Sequence, residues 1–249
     1  RKGYENEEDM QIKLRAGGYV ENKDRDLKAR WFNLNNPGTV PAEILNQQPS
    51  QFFDVNNLGA DQLYYVEQTN LSDRYKAQNL LAAGYISTFL PITPKLNATL
   101  GFRGEYNRQQ LQSQLKGSGT KVDVDKPIFR ALPSVNLSYN FTKKSLVRLA
   151  YSTTVNRPEF RELAPFNYYD FNFDVSRVGN PNLKTPSIQN ADLRYEFYPN
   201  DGELISVAGF YKYFKNPIES RVNYSGSGVS FSVDNAESAY AYGAEIELR

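Results

Sequence analysis

The sequence predicts an all-β fold of antiparallel strands that run up and down, each with one apolar and one polar face. Three observations predict it. Aromatic residues are abundant, with 18 Tyr and 15 Phe against one Trp and one Met, while apolar residues reach only 40%; such residues suit pleated strands and wet–apolar boundaries. Hydrophobicity alternates with a period of two where no helical period is found. Short turns and long loops take strict turns along the chain, the pattern of a barrel that crosses a bilayer with turns at one end and loops at the other.

The alternation is clearest from Lys95 to Glu105, where Leu96, Ala98, Leu100 and Phe102 oppose Asn97, Thr99, Gly101, Arg103 and Glu105. Val135, Leu137, Tyr139 and Phe141 likewise oppose Ser134, Asn136, Ser138 and Asn140. Ala191, Leu193, Tyr195 and Phe197 oppose Asn190, Asp192, Arg194 and Glu196. Tyr242, Ala244, Ile246 and Leu248 oppose Gly243, Glu245, Glu247 and Arg249. Strands with these two faces bury one side in lipid and turn the other to an aqueous lumen. The predicted lumen-facing charges are therefore Arg103, Glu105, Asp192, Arg194, Glu196, Glu245 and Glu247.

Compact turns are predicted at Asn22–Asp24, Pro91–Pro94, Thr142–Lys144 and Pro199–Gly202, all rich in Pro, Asn, Asp, Gly or Lys. Long connections are predicted at 35–74, 113–127 and 157–185, with a Gly-Ser tip at Ser225–Gly228. The strands then fall near 10–21, 25–34, 75–90, 95–112, 128–141, 145–156, 186–198, 203–223 and 229–249, about nine in all. Bacterial single-chain barrels have even strand numbers, so the expectation is one domain over 1–249, a partial barrel whose remaining strands lie elsewhere. The apolar stretch Leu80–Ile92 is too short and interrupted for a spanning helix. The N-terminal residues lack the apolar core of a signal peptide, so an export signal is expected upstream.

Several function classes drop out. Without Cys or His there is no thiol nucleophile, imidazole base or ordinary zinc set, and the formal net charge of +1 gives no footprint for nucleic acid. No enzyme activity, metal or cofactor is expected. Asp123 and Asp125 lack the further oxygen ligands of a calcium loop. Gly117–Lys121 lacks the order of a phosphate loop, and the carboxylates Glu7 and Glu8 have nothing to separate their pKa values.

From Arg130 onward the sequence resembles the barrel of TonB-dependent outer-membrane receptors of the Bacteroidetes type. The resemblance is carried by Leu132-Pro133-Ser134-Val135-Asn136-Leu137-Ser138-Tyr139, Arg148-Leu149-Ala150-Tyr151-Ser152 and the loop Asn156-Arg157-Pro158-Glu159-Phe160-Arg161-Glu162-Leu163-Ala164-Pro165-Phe166. Gly179-Asn180-Pro181-Asn182-Leu183, Phe210-Tyr211-Lys212, Asn216-Pro217-Ile218-Glu219 and Gly243-Ala244-Glu245-Ile246-Glu247-Leu248 follow in the family's order. Upstream, Gly84-Tyr85 and Gly101-Phe102-Arg103-Gly104-Glu105 fit paired strands of the same family. Each motif is weak alone; their sequence is specific, over about two thirds of the chain.

The resemblance implies a barrel of about 22 strands plugged by an N-terminal domain. It implies import of a scarce solute such as a siderophore, vitamin, peptide or glycan, with the outer-membrane lipid, the chain's own plug, the TonB complex and a surface lipoprotein as partners. A passive plugless porin and a soluble, surface-exposed β-rich binding module are the alternatives. Arg157, Glu159, Arg161 and Glu162 are candidates for contact with solute or partner from an extracellular loop. Against that stands a structural role for the segment, with Pro158 ending strand pairing. Gly179-Asn180-Pro181 is expected to form a tight turn, the glycine supplying an unusual backbone angle.

Overall fold

The computed structural model describes residues 11–38, 40–59, 61–225 and 228–249; the Glu7–Glu8 pair and part of the Gly-Ser tip lie outside them. In chain order the strands are β1 (Lys13–Lys28), β2 (Phe32–Asn35), β3 (Tyr64–Glu67), β4 (Arg74–Pro91), β5 (Leu96–Gln114), β6 (Lys121–Asn140) and β7 (Ser145–Val155). Then come β8 (Asn167–Asp170), β9 (Val175–Val178), β10 (Ser187–Phe197), β11 (Ile205–Lys215), β12 (Ile218–Ser225), β13 (Gly228–Asn235) and β14 (Ser238–Leu248). The helices are single turns, α1 (Ala42–Leu45), α2 (Pro49–Phe52) and α3 (Phe160–Leu163).

Eight strands form the main sheet in the order β1-β4-β5-β6-β7-β10-β11-β14. Each pairs antiparallel with its neighbours. The ladder keeps the two faces apart across the whole sheet, because partners in register point the same way. Phe102 stands opposite Ile86 and Pro133, and Leu149 opposite Leu137 and Leu193. Tyr211 stands opposite Ala191 and Tyr242. Arg103 and Glu105 fall on the other face, and the register carries Asp192, Arg194, Glu196, Glu245 and Glu247 onto that same polar face.

The apolar face is uncovered. Phe102, Phe129, Leu193, Tyr242 and Ile246 are exposed on it, Ile246 to 74%. Tyr106 and Phe129 are paired at one level of it, and Tyr139 lies ten residues along β6 at another, opposite Leu96. Ten residues span about 33 Å of strand, which at a tilt of 35–45° covers about 25 Å, the height of a lipid-facing band flanked by aromatic girdles. Within that band the register puts a single charged residue on the apolar face of the described strands, Lys215 at the loop end of β11, opposite Ser187 and Ser238. Just beyond it, Arg108 and Asp125 pair across β5 and β6 at 2.8 Å, so Asp125 is spent on an ion pair.

Three boundaries differ from the sequence reading. Asn22, Lys23 and Asp24 form no turn; they continue β1 opposite Leu80, Asn79 and Gln78, so the two expected N-terminal strands are one and the sheet has eight strands, not nine. Here the strand passes above the apolar band, where water wets both faces and a turn-like composition costs nothing. The expected loop 113–127 shrinks to six residues because β5 and β6 stay paired to Gln114 and Lys121, with Gly117 and Gly119 at φ 85° and 66° making the reversal. The last two expected strands each break in two. Asn216, at φ 53°, turns the chain out of β11 into the hairpin β12–β13, and Asn235 closes that hairpin by donating to the Asn216 carbonyl at 2.7 Å.

That hairpin belongs to a second sheet, ordered β12-β13-β9-β8, in which β13 runs parallel to β9 with Phe231 opposite Arg177. The loops between β7 and β10 and between β11 and β14 are thereby joined. β2 and β3 form a separate hairpin in the loop between β1 and β4. All three long connections leave from one end of the main sheet, and the short turns at 92–95, 141–144 and 198–204 close the other.

Candidate functional site: the polar face and the loop that folds onto it

The loop after β7 bends back over the polar face. Asn156 N–H still donates to the Pro186 carbonyl at 3.2 Å, but Pro158 has no N–H to give a ladder; the buried Pro158 carbonyl instead accepts from the Gln109 side chain of β5 at 2.8 Å. Beside it Arg157 donates to the Glu105 carboxylate, whose other oxygen accepts from Arg103 at 2.6 Å. The Glu105 side chain is only 8% exposed, so the two guanidiniums replace the water it has lost.

An apolar cluster seals the contact. Tyr75, Ala77, Leu111 and Val124, from the polar-face register of β4, β5 and β6, pack on Leu163, Ala164, Phe166 and Leu183 of the loop. The loop covers these four strand residues. Lys126 and Arg130 of β6 then donate to the Leu183 and Thr185 carbonyls where the loop returns to the sheet.

Gly179 holds the loop together. A Cβ there would meet the backbone carbonyl oxygens of Arg161, Glu162 and Ala164 at less than 3.0 Å, and Asn180 N–H donates to the Glu162 carbonyl at 2.6 Å. The expected unusual backbone angle is absent: Gly179 is not among the positive-φ glycines. What the position demands is room for close approach of two backbones. Asn235 clamps the neighbouring loop by accepting from Lys184 N–H at 2.7 Å and donating to its carbonyl at 3.1 Å.

The four candidate loop residues have separate places. Arg157 faces the wall at Glu105. Glu159 and Glu162 form a reciprocal capping box around α3, with Glu159 N–H donating to the Glu162 carboxylate at 2.8 Å. Arg161 lies over the Tyr168 ring at 5.0 Å. Glu159, Arg161 and Glu162 share a small recess with Tyr168, Arg177 and Phe231; Arg157 is outside it.

A second ion cluster lies near the turn end of the polar face. Glu196, its side chain 7% exposed, accepts from Arg148 at 3.0 Å and from the Tyr198 hydroxyl at 2.7 Å. Arg194 lies 3.3 Å from Glu196 and 2.8 Å from Glu247. Above it opens a recess of about 830 Å³, lined by Asn97, Thr99, Asn136, Arg148, Asp192 and Arg194. Arg148 escaped sequence reasoning, although its position on β7 follows from the alternation around Leu149 and Tyr151. Gln109 and Lys126 carry no such signal, since their partners lie 49 and 57 residues away; Gly179 stands out in the sequence as a turn glycine, but its close approach to the backbone of residues 161–164 does not.

The family model described as "Outer membrane protein beta-barrel family" matches residues 45–249. Among solved structures, the Serratia marcescens hemophore receptor HasR, in complex with its hemophore HasA and heme, is similar over 95% of this chain and 39% of its own, at 11% identity and a TM-score of 0.57. The siderophore receptor PirA from Pseudomonas aeruginosa matches 74% of this chain and 41% of its own, at 18% identity and 0.48. A mutant of the ferric enterobactin receptor PfeA from the same organism matches 94% and 38%, at 18% identity and 0.46. The chain thus spans about two fifths of the length of these structures. No curated protein matches it.

Proposed function

Because the chain belongs to the outer membrane protein beta-barrel family, and so resides in the cell outer membrane, we propose that it forms part of the wall of a TonB-dependent transporter. In this reading the barrel imports a scarce solute through a plugged lumen. The apolar face meets lipid, and the polar face lines the lumen. β1 and β14 form no ladder with each other in the described sheet, and a bilayer does not tolerate bare strand edges, so further strands complete the barrel.

The observation that carries the lumen assignment is the loop after β7, folded onto the polar face through Arg157–Glu105 and the Leu163–Phe166 cluster. A loop that turns inward narrows a lumen; one lying on the lipid face would strand its own polar backbone. The fold shared with HasR and the ordered receptor-like motifs support a transporter wall over an enzyme. The transported solute, a plug, the TonB complex and a surface lipoprotein belong to the proposal. Of the loop candidates, we assign solute or partner contact to Glu159 and Arg161, on the ground that both are exposed, and anchoring to Arg157.

Uptake tests the reading. Cells carrying the parent protein should accumulate its solute only while the inner-membrane proton gradient and TonB are intact. Uptake that survives collapse of the gradient would support a passive plugless barrel instead.

A further inference from the structure

The polar face is divided laterally by charge, a feature that the overall balance of +1 hides. The register puts Lys13, Arg15, Lys23 and Arg25 of β1 on that face, with Arg103 of β5 and Lys126 and Arg130 of β6. Only Glu21 and Glu105 oppose them there, and β4, between β1 and β5, adds no charge. Seven cations against two acids leave five positive charges, and Arg157 adds another from the loop. On β7, β10, β11 and β14 the same face carries Arg148, Arg194 and Lys212 against Asp192, Glu196, Glu245 and Glu247, and Arg249 just after β14 pairs with Glu247 at 2.7 Å, so the charges of that half balance.

The cations of the first half are spread along the strands. Lys13 and Arg15 lie opposite Phe89 and Ser87 at the turn end, and Lys23 and Arg25 opposite Asn79 and Ala77 at the loop end. Arg103 and Arg130 stand between, at the level of Glu105.

We propose that the polar face of β1, β4, β5 and β6 is a cationic track running beside the loop after β7 and on to the turn end of the wall, and that the solute passing along it carries two or more negative charges. Rows of Lys and Arg lining a narrow aqueous path raise the local concentration of anions and reject cations. This rests on the lumen assignment above and names the charge class of the solute; it is independent of how transport is energised.

The chain contains no Cys, so single thiols report the local potential. In the parent protein in outer-membrane vesicles, Ser87→Cys places a thiol on the track opposite Arg15 and Gly101. Ala208→Cys places one on the other half, opposite Arg194 and Glu245. Each reacts with a sulfonate-bearing and a trimethylammonium-bearing methanethiosulfonate, and the rate ratio cancels differences in thiol reactivity. The anion-to-cation ratio should be about tenfold higher at position 87 than at 208 in low salt, and should converge in 1 M salt as the charges are screened. Arg15→Gln with Arg103→Gln should shrink the difference severalfold. Citrate should slow modification at 87 while sucrose does not.

Equal ratios at the two positions would overturn the track. A high ratio without protection by citrate would overturn the polyanionic solute. An acidic segment of the rest of the chain lying on this face would give a low ratio and no citrate protection, which also overturns the proposal. None of these readouts depends on the proton gradient, so failure of energy-coupled import registers separately, in the uptake assay.

Discussion

Arg157, at the root of the loop after β7, donates to Glu105 on β5, 52 residues earlier in the chain. This contact fixes where the loop goes, because Glu105 is nearly buried and its neighbour Arg103 alone meets only one of its oxygens. Removing Arg157 leaves a carboxylate half-compensated in a dry place, at a cost on the order of 3 kcal/mol. Arg157→Ala should therefore loosen residues 156–186, read as faster cleavage there by added protease with the wall intact. Arg161→Ala, which loses only a ring contact, should change cleavage little.

Gly179→Ala should destabilise the same loop by about 1–3 kcal/mol, the range for forcing atoms into a packed site. The new methyl has three backbone carbonyls to displace, and backbone cannot swing aside as a side chain can. Gly84→Ala is the control: a Cβ there meets nothing within 4 Å. Thermal unfolding and proteolysis of the two variants in detergent should separate them, with only the Gly179 variant weakened.

The hairpin β2–β3 contains an acid-sensitive clasp. Arg30 grips Glu67 with two bonds at 2.8 and 3.0 Å, and the Thr69 hydroxyl adds one at 2.7 Å. These bonds hold the Glu67 carboxyl down at about 2, against an ordinary 4.5. A depressed carboxylate contributes stability in full above its unfolded value and loses it as pH falls from about 4.5 towards 2. Trp31, the chain's only Trp, adjoins the clasp and donates its backbone N–H to the Thr69 hydroxyl. Its emission should shift over that acid range, and Glu67→Gln should remove the shift.

Four stretches of strand were legible from alternation alone, from Lys95, Ser134, Asn190 and Tyr242 onward, because lipid on one side and water on the other impose a period of two on the side chains. Alternation fails where both faces meet water. That is why Asn22-Lys23-Asp24 resembled a turn and the tops of β5 and β6 resembled a loop. The second sheet was illegible for a different reason: β13 pairs in parallel with β9 across more than 50 residues, a contact that no local pattern announces. The polar-face charges on β5, β10 and β14 could be assigned to a face in advance, whereas their pairing with Arg148 and Arg157 could be recognised only once register and loop path were known.

The central claim is that the apolar face meets lipid and the polar face does not, and adjacent residues of β5 test it most directly. Leu100 stands on the apolar face opposite Thr88 and Val135, and Thr99 on the polar face opposite Phe89 and Asn136. An Arg at a lipid-facing site near mid-bilayer costs roughly 2–4 kcal/mol, while a lumen site tolerates it. The measurement is the folded fraction of parent protein carrying Leu100→Arg or Thr99→Arg, read in outer membranes as the heat-modifiable band. Leu100→Arg should lose most of the folded band and Thr99→Arg should keep it; equal yields, or the reverse order, would contradict the assignment of the two faces.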